Sequence, residues 1–304
     1  MGASLWRSSP AARRVFETAD KVIGVPLTQV CFEGPPEKLT DTAFTQPAVV
    51  VVSLAAAAAL AERLSARDAR VLPSLCAGHS VGEFAALLYS GAVGLEEGLR
   101  LVSERGRAMA EASAIADGSM AAVLGLDEGP LTEVCAQASA ETEASVQVAN
   151  LNAPGQIVIS GSRRALARAG ELARQAGAKR TIDLDVSGPF HSVYMQPAAH
   201  RLSASLDQTI VSSPSVPIIL NVTAQPASDP MELRREMLVQ ITSPVRWSDS
   251  VRTMWDLSCT VFVELGPGQV LGGLIKRTVK GATVMNVEDE QSLDKTAASL
   301  VQLL

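Results

Sequence analysis

The segment that decides the fold of this chain is Ala77-Gly78-His79-Ser80-Val81-Gly82-Glu83, in which a serine lies between two glycines. A short apolar run over residues 71–76 precedes it, and the helix-forming sequence Phe84-Ala85-Ala86-Leu87-Leu88 follows it. The pattern G-x-S-x-G at a strand-to-helix junction is typical of a nucleophile elbow, a strained turn that exposes the serine hydroxyl and needs small neighbours. The N-terminus of the following helix would favour negative charge developing at that place. The alternative is a glycine-rich turn that merely contains a serine, and the rest of the chain must decide between the two.

The composition indicates a packed globular protein. The chain has 304 residues, of which 47% are hydrophobic and 19% charged, and this argues against disorder. A chain of this length can bury a sizeable core, either as one large domain or as two smaller ones. The net charge of −6 argues against a general nucleic-acid binder.

Cysteine usage and apolar runs bear on the compartment. The four cysteines lie far apart without a C-x-x-C pair, which predicts a reducing compartment and no metal site. The longest apolar run, residues 48–61, is shorter than the ~18–20 residues that a bilayer requires, so we expect a buried helix and no membrane association. No secretory signal is recognisable. We therefore expect a cytoplasmic protein, with the plastid stroma or the mitochondrial matrix as the alternative.

Strand and helix patterns alternate along the chain, which predicts an α/β fold. Residues 118–186 read as strand, helix, strand, strand, helix and strand, the βαββαβ order of a ferredoxin-like unit. We expect this unit to be a small subdomain inserted into a larger body made of residues 1–117 and 187–304. Within the body we expect strands at 71–76, 216–222, 260–265 and 283–287, a buried helix opened by Gln46-Pro47, and a helix that starts at Ser243.

The chain offers three histidines as the base that a serine nucleophile needs. His79 adjoins Ser80, and neighbours on a tight turn rarely present their side chains to each other. His200 lies within a predicted helix, where a solvated surface role is the simpler interpretation. His191 lies in a loop directly after the inserted unit, where catalytic groups usually occur, so elimination favours it. No aspartate is an obvious third member, but a backbone carbonyl can orient an imidazole equally well.

Several segments together resemble one family, the malonyl-CoA:acyl-carrier-protein transacylases, which also supply acyltransferase domains of polyketide synthases. The matching segments follow one another in the family's order over nearly the whole chain: Gly78-His79-Ser80-Val81-Gly82-Glu83, Arg105-Gly106 with Met109, residues 150–156, residues 186–192, Ser243-Pro244-Val245-Arg246-Trp247 and Glu264-Leu265-Gly266-Pro267-Gly268. The resemblance implies an α/β-hydrolase-like body with an inserted ferredoxin-like subdomain, in agreement with the element order above.

The resemblance also implies roles for individual residues. Ser80 would be the nucleophile, His191 the general base, and Arg105 the ligand of the free malonyl carboxylate. Without this context, a solvated charge on a helix would be the simpler interpretation of Arg105. The main-chain carbonyl of Gln240 would orient His191, and the backbone N–H of Val81 would supply half of the oxyanion hole. The remaining residues that match positions lining the family's site are Gln46, His79 and Asn152.

Phe190, directly before His191, matches the form of the family that selects malonyl groups. Relatives that accept methylmalonyl units usually carry a smaller serine at this position. A bulky ring leaves no room for a 2-methyl branch, and such a difference of one methyl group changes selectivity by ~1–3 kcal/mol.

One departure from the family concerns the start of the chain. The family begins with a strand and a turn whose glutamine N–H supplies the other half of the oxyanion hole, and Met1-Gly2-Ala3-Ser4-Leu5 aligns just after that turn. Loss of one oxyanion donor can cost ~10²–10³ in rate. We expect that the sequence is truncated at a second methionine, with an impaired protein as the alternative.

The expected reaction is a two-step transfer from malonyl-CoA to an acyl carrier protein, catalysed by a monomer without a cofactor of its own. Acyl carrier proteins are acidic, so three basic pairs are candidate docking points, with ordinary solvated charges as the alternative: Arg163-Arg164, Lys179-Arg180 and Lys276-Arg277. A serine hydrolase and a non-catalytic binding subunit are the alternatives. Arg105 at the site and the missing third carboxylate weigh against the first, and only the departure at the start of the chain supports the second.

Overall fold

A computed structural model describes residues 1–304. Helices cover much of the chain, with these bounds: Ala3–Ser8 (α1), Pro10–Ile23 (α2), Leu27–Glu33 (α3), Pro36–Thr40 (α4), Thr42–Ser65 (α5), Val81–Tyr89 (α6), Leu95–Ile115 (α7), Glu128–Thr142 (α8), Arg163–Gln175 (α9), Gln196–Asp207 (α10), Pro230–Val239 (α11), Trp247–Asp256 (α12), Val270–Thr278 (α13) and Glu290–Gln302 (α14). The strands are Cys76–Ala77 (β1), Gly118–Leu124 (β2), Val146–Ala153 (β3), Gln156–Ser162 (β4), Arg180–Asp183 (β5), Ile218–Ile219 (β6), Pro226–Ala227 (β7), Val261–Leu265 (β8) and Thr283–Val287 (β9).

The inserted unit forms a four-stranded antiparallel sheet in the order β3-β4-β2-β5. This order, with α8 and α9 as its two crossover helices, is the ferredoxin-like arrangement that the element pattern predicts. The apolar faces of α8 and α9 pack with the sheet into a core of their own. The edge strand β3 contacts the body, because the Leu151 N–H donates to the Val245 carbonyl and the Val245 N–H donates to the Ala149 carbonyl, both at 2.9 Å.

The strands of the body lie in two separate sheets. Strands β1 and β6 pair in parallel over two residues each, with β7 antiparallel to β6, and β8 pairs in parallel with β9. The strands β1 and β6 are therefore much shorter than the predicted runs 71–76 and 216–222. The expected α/β class is confirmed, with a largely helical body.

The central helix of the body, α5, differs from the prediction. Gln46-Pro47 does not open it; Asp41 caps it by accepting a hydrogen bond from the Ala43 N–H at 2.9 Å, and Pro47 lies inside the helix. The proline removes one backbone donor near the first turns without ending the helix. Helix α12 likewise starts at Trp247 and not at Ser243.

Helix α5 is also longer than its apolar run. It has 24 residues and a mean hydropathy of 1.8 over its most apolar part, so by length and composition alone it could cross a bilayer. The length argument for burial is therefore wrong. The burial itself is confirmed, because α5 packs against α2, α6 and α7 and contributes most of its apolar side chains to the main core.

Candidate active site

Ser80 lies at the turn between β1 and α6, in a strained backbone conformation. Its φ is 51° and its ψ is −110°, in a region that residues other than glycine rarely adopt. Gly78 is required for this turn, since a Cβ there would lie 2.0 Å from the carbonyl carbon of Gly82. Val81 begins α6, so its backbone N–H has no acceptor within the helix. The sequence therefore folds locally into the predicted elbow.

The side chain of Asn221, from the loop after β6, holds both sides of the elbow. Its Oδ1 accepts from the Ser80 N–H at 2.7 Å, and its Nδ2 donates to the Gly78 carbonyl at 2.7 Å. Asn221 is buried, so these bonds replace solvent contacts that the turn cannot make. Sequence reasoning missed this residue, and nothing in its local sequence indicates a contact with the elbow.

His191 contacts the nucleophile through one ring nitrogen and the backbone through the other. Its Nε2 lies 2.7 Å from Ser80 Oγ, and its Nδ1 lies 2.8 Å from the Gln240 carbonyl oxygen and 3.1 Å from that of Ser243. Because carbonyls only accept, Nδ1 must carry the proton, which leaves Nε2 free to accept the serine proton. The orienting carbonyl expected at Gln240 is therefore in place.

The environment of His191 keeps its imidazole neutral. Burial and the positive charge of Arg105 lower the pKa of His191 to about 3, although its bond to the Gln240 carbonyl opposes this. The backbone of His191 is also strained, with a φ of 55°. Gln147, on β3, holds this loop, since its Nε2 donates to the His191 carbonyl at 3.3 Å and its Oε1 accepts from the Val193 N–H at 3.2 Å. Sequence reasoning did not identify Gln147.

Arg105 is almost fully buried, with 1% of its surface exposed, and its guanidinium reaches the nucleophile. One nitrogen, Nη2, donates to Ser80 Oγ at 3.2 Å and to Gln240 Oε1 at 3.0 Å, while Nη1 donates to Gln46 Oε1. Its Nε has no hydrogen-bond partner. Burial lowers the pKa of Arg105 to about 10, so it stays charged at neutral pH. The interpretation of Arg105 as a solvated helix charge is wrong.

The other predicted site residues lie around this centre. His79 turns away from Ser80 and contacts Asn152 Oδ1 through its Nε2 at 2.8 Å, which links the elbow to β3. Phe190 is partly buried between the main core and the small cluster of Met120, Ala122, Ala149 and Val158. His200 is exposed on α10, away from any catalytic contact.

The geometry suits acyl transfer to and from a serine. It combines a hydroxyl with its base, an unpartnered N–H at a helix start, and a buried cation in contact with the nucleophile. Such a cation favours an acyl group with a negative charge close to its reacting carbonyl. No group of three or more His, Cys, Asp or Glu side chains is placed to hold a metal ion.

Comparisons with known proteins agree with this chemistry. A family model described as the acyl transferase domain matches residues 1–297. The malonyl CoA-acyl carrier protein transacylase of Bacillus subtilis is 38% identical over 300 residues, which cover 99% of this chain and 92% of that protein.

Solved structures give the same result. The acyl-carrier-protein S-malonyltransferase of Bartonella henselae superposes with a TM-score of 0.92 at 38% identity, covering 99% of this chain and 95% of that one. A malonyl-transacylase solved in complex with a type II polyketide synthase acyl carrier protein gives a TM-score of 0.91 at 34% identity, with 98% and 94% covered. The chain therefore belongs to the acyltransferase family of the malonyl-CoA:acyl-carrier-protein transacylases.

Proposed function

We propose that this chain transfers a malonyl group from malonyl-CoA to the phosphopantetheine thiol of an acyl carrier protein, through an ester on Ser80. The observation that carries the proposal is the 3.2 Å contact between Arg105 Nη2 and Ser80 Oγ. In a malonyl thioester, a single methylene separates the free carboxylate from the reacting carbonyl. A guanidinium in contact with the nucleophile is therefore well placed for that carboxylate. The names of the relatives support the same substrate and acceptor.

In the first half-reaction, Ser80 Oγ gives its proton to His191 Nε2 and attacks the thioester carbonyl. The Val81 N–H donates to the oxyanion that forms, and the coenzyme A thiolate leaves with the proton from His191. In the second half-reaction, His191 takes the proton of the acceptor thiol, the thiolate attacks the ester, and Ser80 regains its proton. The reacting thioesters supply the driving force, so this route uses no cofactor bound to the chain.

The test is to mix the protein with radiolabelled malonyl-CoA, with and without holo-acyl carrier protein. We expect label on the carrier protein and little free malonate when the acceptor is absent. Fast release of free malonate without an acceptor would indicate a serine hydrolase. A Ser80→Ala variant that still transfers the label would contradict the proposed route.

Of the two basic pairs on the inserted unit, Arg163-Arg164 lies at the end next to the loop of residues 187–192 that carries His191. Both side chains are exposed at the start of α9, at the end of the small sheet where Gly118 packs against Pro189. Lys179-Arg180 lies at the opposite end of that sheet, because Arg180 is in register with Leu124. We propose that the acidic carrier protein docks at the first pair.

Reversing both charges of Arg163-Arg164 to glutamate should raise the KM for the carrier protein about tenfold, because steering by complementary charge is lost. The same reversal of Lys179-Arg180 is the matched control, and we expect a smaller change there. Equal effects of the two double variants would show that only overall charge matters.

A further inference from the structure

Glu83 is a buried carboxyl group next to the site, and the route proposed above does not use it. It lies in the first turn of α6, three residues after Ser80, with 1% of its surface exposed. Its Oε2 accepts from the backbone N–H of Asn221 at 2.7 Å, and its Oε1 accepts from Gln240 Nε2 at 3.1 Å. Through Asn221 it supports the elbow, and through Gln240 it reaches both His191 and Arg105.

The side-chain amide of Gln240 separates Glu83 from Arg105. Its Nε2 donates to Glu83, and its Oε1 accepts from Arg105 Nη2 at 3.0 Å. An ionised carboxylate only accepts and a guanidinium only donates, so these two neighbours together fix which way the amide points.

All the direct partners of Arg105 are neutral. They are the amide oxygens of Gln46 and Gln240 and the hydroxyl of Ser80. A buried cation needs a compensating negative charge. A carboxylate in direct contact would provide one, but it would compete with the carboxylate of a bound malonyl group. A carboxylate that is separated from Arg105 by one amide compensates the charge and leaves the guanidinium without a direct ion pair that a malonyl carboxylate would have to displace.

The surroundings of Glu83 determine at which pH it carries this charge. The charges that act on Glu83 are Glu236, from α11, and Arg105, from α7. Burial and Glu236 raise the pKa of Glu83 to about 8, while its hydrogen bonds and Arg105 oppose the rise, so the counter-charge is fully present only above about pH 8. In return, Glu83 partly offsets the lowering of the pKa of Arg105 that burial causes.

We propose that Glu83 is a positioning residue for the malonyl carboxylate: acting through the Gln240 amide, it orients Arg105 and supplies the counter-charge that a direct salt bridge would otherwise provide. This inference rests on the proposed malonyl transfer. It assigns to Glu83 a role in substrate selection, beyond its support of the elbow.

Glu83→Gln is the informative variant because it keeps the size and shape of the side chain. One of its two accepting atoms becomes a donor, which must face either the Asn221 N–H or Gln240 Nε2. If the new donor faces the Asn221 N–H, two donors lie together. If it instead faces Gln240 Nε2, the Gln240 amide must turn to accept from it, and the amide NH₂ then faces Arg105. In both cases Arg105 loses the charge compensation, and in the second it also loses an acceptor.

The experiment compares two single-turnover reactions of Ser80 at about pH 9, where the carboxyl group of Glu83 is ionised. One is acylation by malonyl-CoA, and the other is labelling by a fluorophosphonate probe, which has no carboxylate. We expect Glu83→Gln to lower kcat/KM for malonyl-CoA by ~10- to 100-fold, mainly through KM, since a hydrogen bond to a charged group is lost. We expect the rate of fluorophosphonate labelling to change by less than about threefold.

Glu264→Gln is the matched control. Glu264 is partly buried and, like Glu83, its carboxyl oxygens accept two hydrogen bonds, here from the backbone of Leu271 and Gly272, but it makes no hydrogen bond with Gln240 or Asn221. We expect this variant to keep the wild-type ratio of the rate of acylation by malonyl-CoA to the rate of fluorophosphonate labelling.

The unfolding temperatures of wild type and Glu83→Gln distinguish a role of Glu83 in positioning Arg105 from a purely structural role. Because the folded-state pKa of Glu83 is raised, its ionisation destabilises the fold increasingly as the pH rises from 4.5 to about 8. The loss of this destabilising charge offsets the cost of the mismatched amide donor, so Glu83→Gln should unfold close to the wild-type temperature at about pH 9 while it binds malonyl-CoA less well.

Three results would overturn the inference: unchanged malonyl loading, an equal fall in both reactions, or unfolding well below wild type at about pH 9. A wild-type protein that reacts with the fluorophosphonate but not with malonyl-CoA would instead reject the proposed function.

Discussion

His191 Nδ1 lies 2.8 Å from the main-chain carbonyl oxygen of Gln240, where a catalytic triad would place a carboxylate. The carbonyl fixes the tautomer of the imidazole as a carboxylate would, but it adds no negative charge. Burial, together with Arg105 as the nearest strong charge, lowers the pKa of His191 to about 3. The strength of this base should therefore depend on what is bound to Arg105.

The pH dependence of the two reactions of Ser80 should reveal this coupling. In the free protein burial and the charge of Arg105 lower the pKa of His191, so fluorophosphonate labelling should lose rate only well below pH 6.5, the ordinary value. A bound malonyl carboxylate neutralises Arg105, which should raise the pKa of His191 and move the acid limb of kcat upward. The pH profile of the labelling rate reports the pKa of His191 in the free protein, and the pH profile of kcat reports its pKa with the malonyl group bound. Coincident acid limbs near pH 6.5 would contradict the account.

Arg105→Lys should separate the effect of the positive charge at this position from the effect of the planar guanidinium shape. A lysine keeps the positive charge, but it cannot reproduce the planar fork that contacts Gln46, Gln240 and Ser80 together. We expect KM for malonyl-CoA to rise ~10- to 100-fold, as for the loss of hydrogen bonds to a charged group. Arg107→Lys, at an exposed position two residues along the same helix, is the control and should behave as wild type. Equal KM values for the two variants would remove Arg105 from the site.

The two glycines of the elbow should differ sharply in their tolerance of a methyl group. A Cβ on Gly78 would lie 2.0 Å from backbone atoms of Gly82, whereas a Cβ on Gly82 would meet nothing within 4 Å. We expect Gly78→Ala to lower the free energy of unfolding by ~3 kcal/mol, the upper end for overpacking, and to abolish acylation. Gly82→Ala should remain folded and active. Denaturant unfolding of both variants checks this, and a stable, active Gly78→Ala would show that the elbow is not held as described.

Much of the fold could be predicted because it rests on local patterns. The βαββαβ order follows from strands and helices that are each contiguous in sequence, and the strands predicted over residues 260–265 and 283–287 correspond closely to Val261–Leu265 and Thr283–Val287. The start of α5 could not be predicted from Pro47, because the Asp41 cap and the packing of the helix outweigh the loss of one backbone donor. The short strands β1 and β6 pair with each other, so the length of each strand depends on its partner as well as on its own sequence.

The residues of the site likewise include some that the sequence predicts and some that it does not. Ser80 and His191 could be proposed from the elbow and from elimination among three histidines. The polar groups that hold them could not, because their contacts join residues far apart in the chain. Glu83 and Asn221 are separated by 138 residues, and Glu83 and Gln240 by 157. In the sequence these are ordinary polar residues, and only the fold brings their side chains together.

Phe190 should set the size of the acyl group. Its ring lies partly buried directly before His191, so replacement by the smaller side chain in Phe190→Ser should admit a 2-methyl branch. We expect the ratio of methylmalonyl to malonyl loading to rise by ~10- to 100-fold, the equivalent of one methyl group in a pocket. Competition between the two thioesters for Ser80 measures this ratio. An unchanged ratio would mean that Phe190 does not limit the size of the acyl group.

The central claim is that Ser80 carries the malonyl group as an ester between the two half-reactions. Its most direct test is peptide mapping by mass spectrometry of protein that is quenched in acid after mixing with malonyl-CoA. We expect one malonylated peptide, the one that contains Ser80, which returns to its unmodified mass when holo-acyl carrier protein is added before the quench. Malonylation at another residue, or malonylation that persists in Ser80→Ala, would contradict this claim.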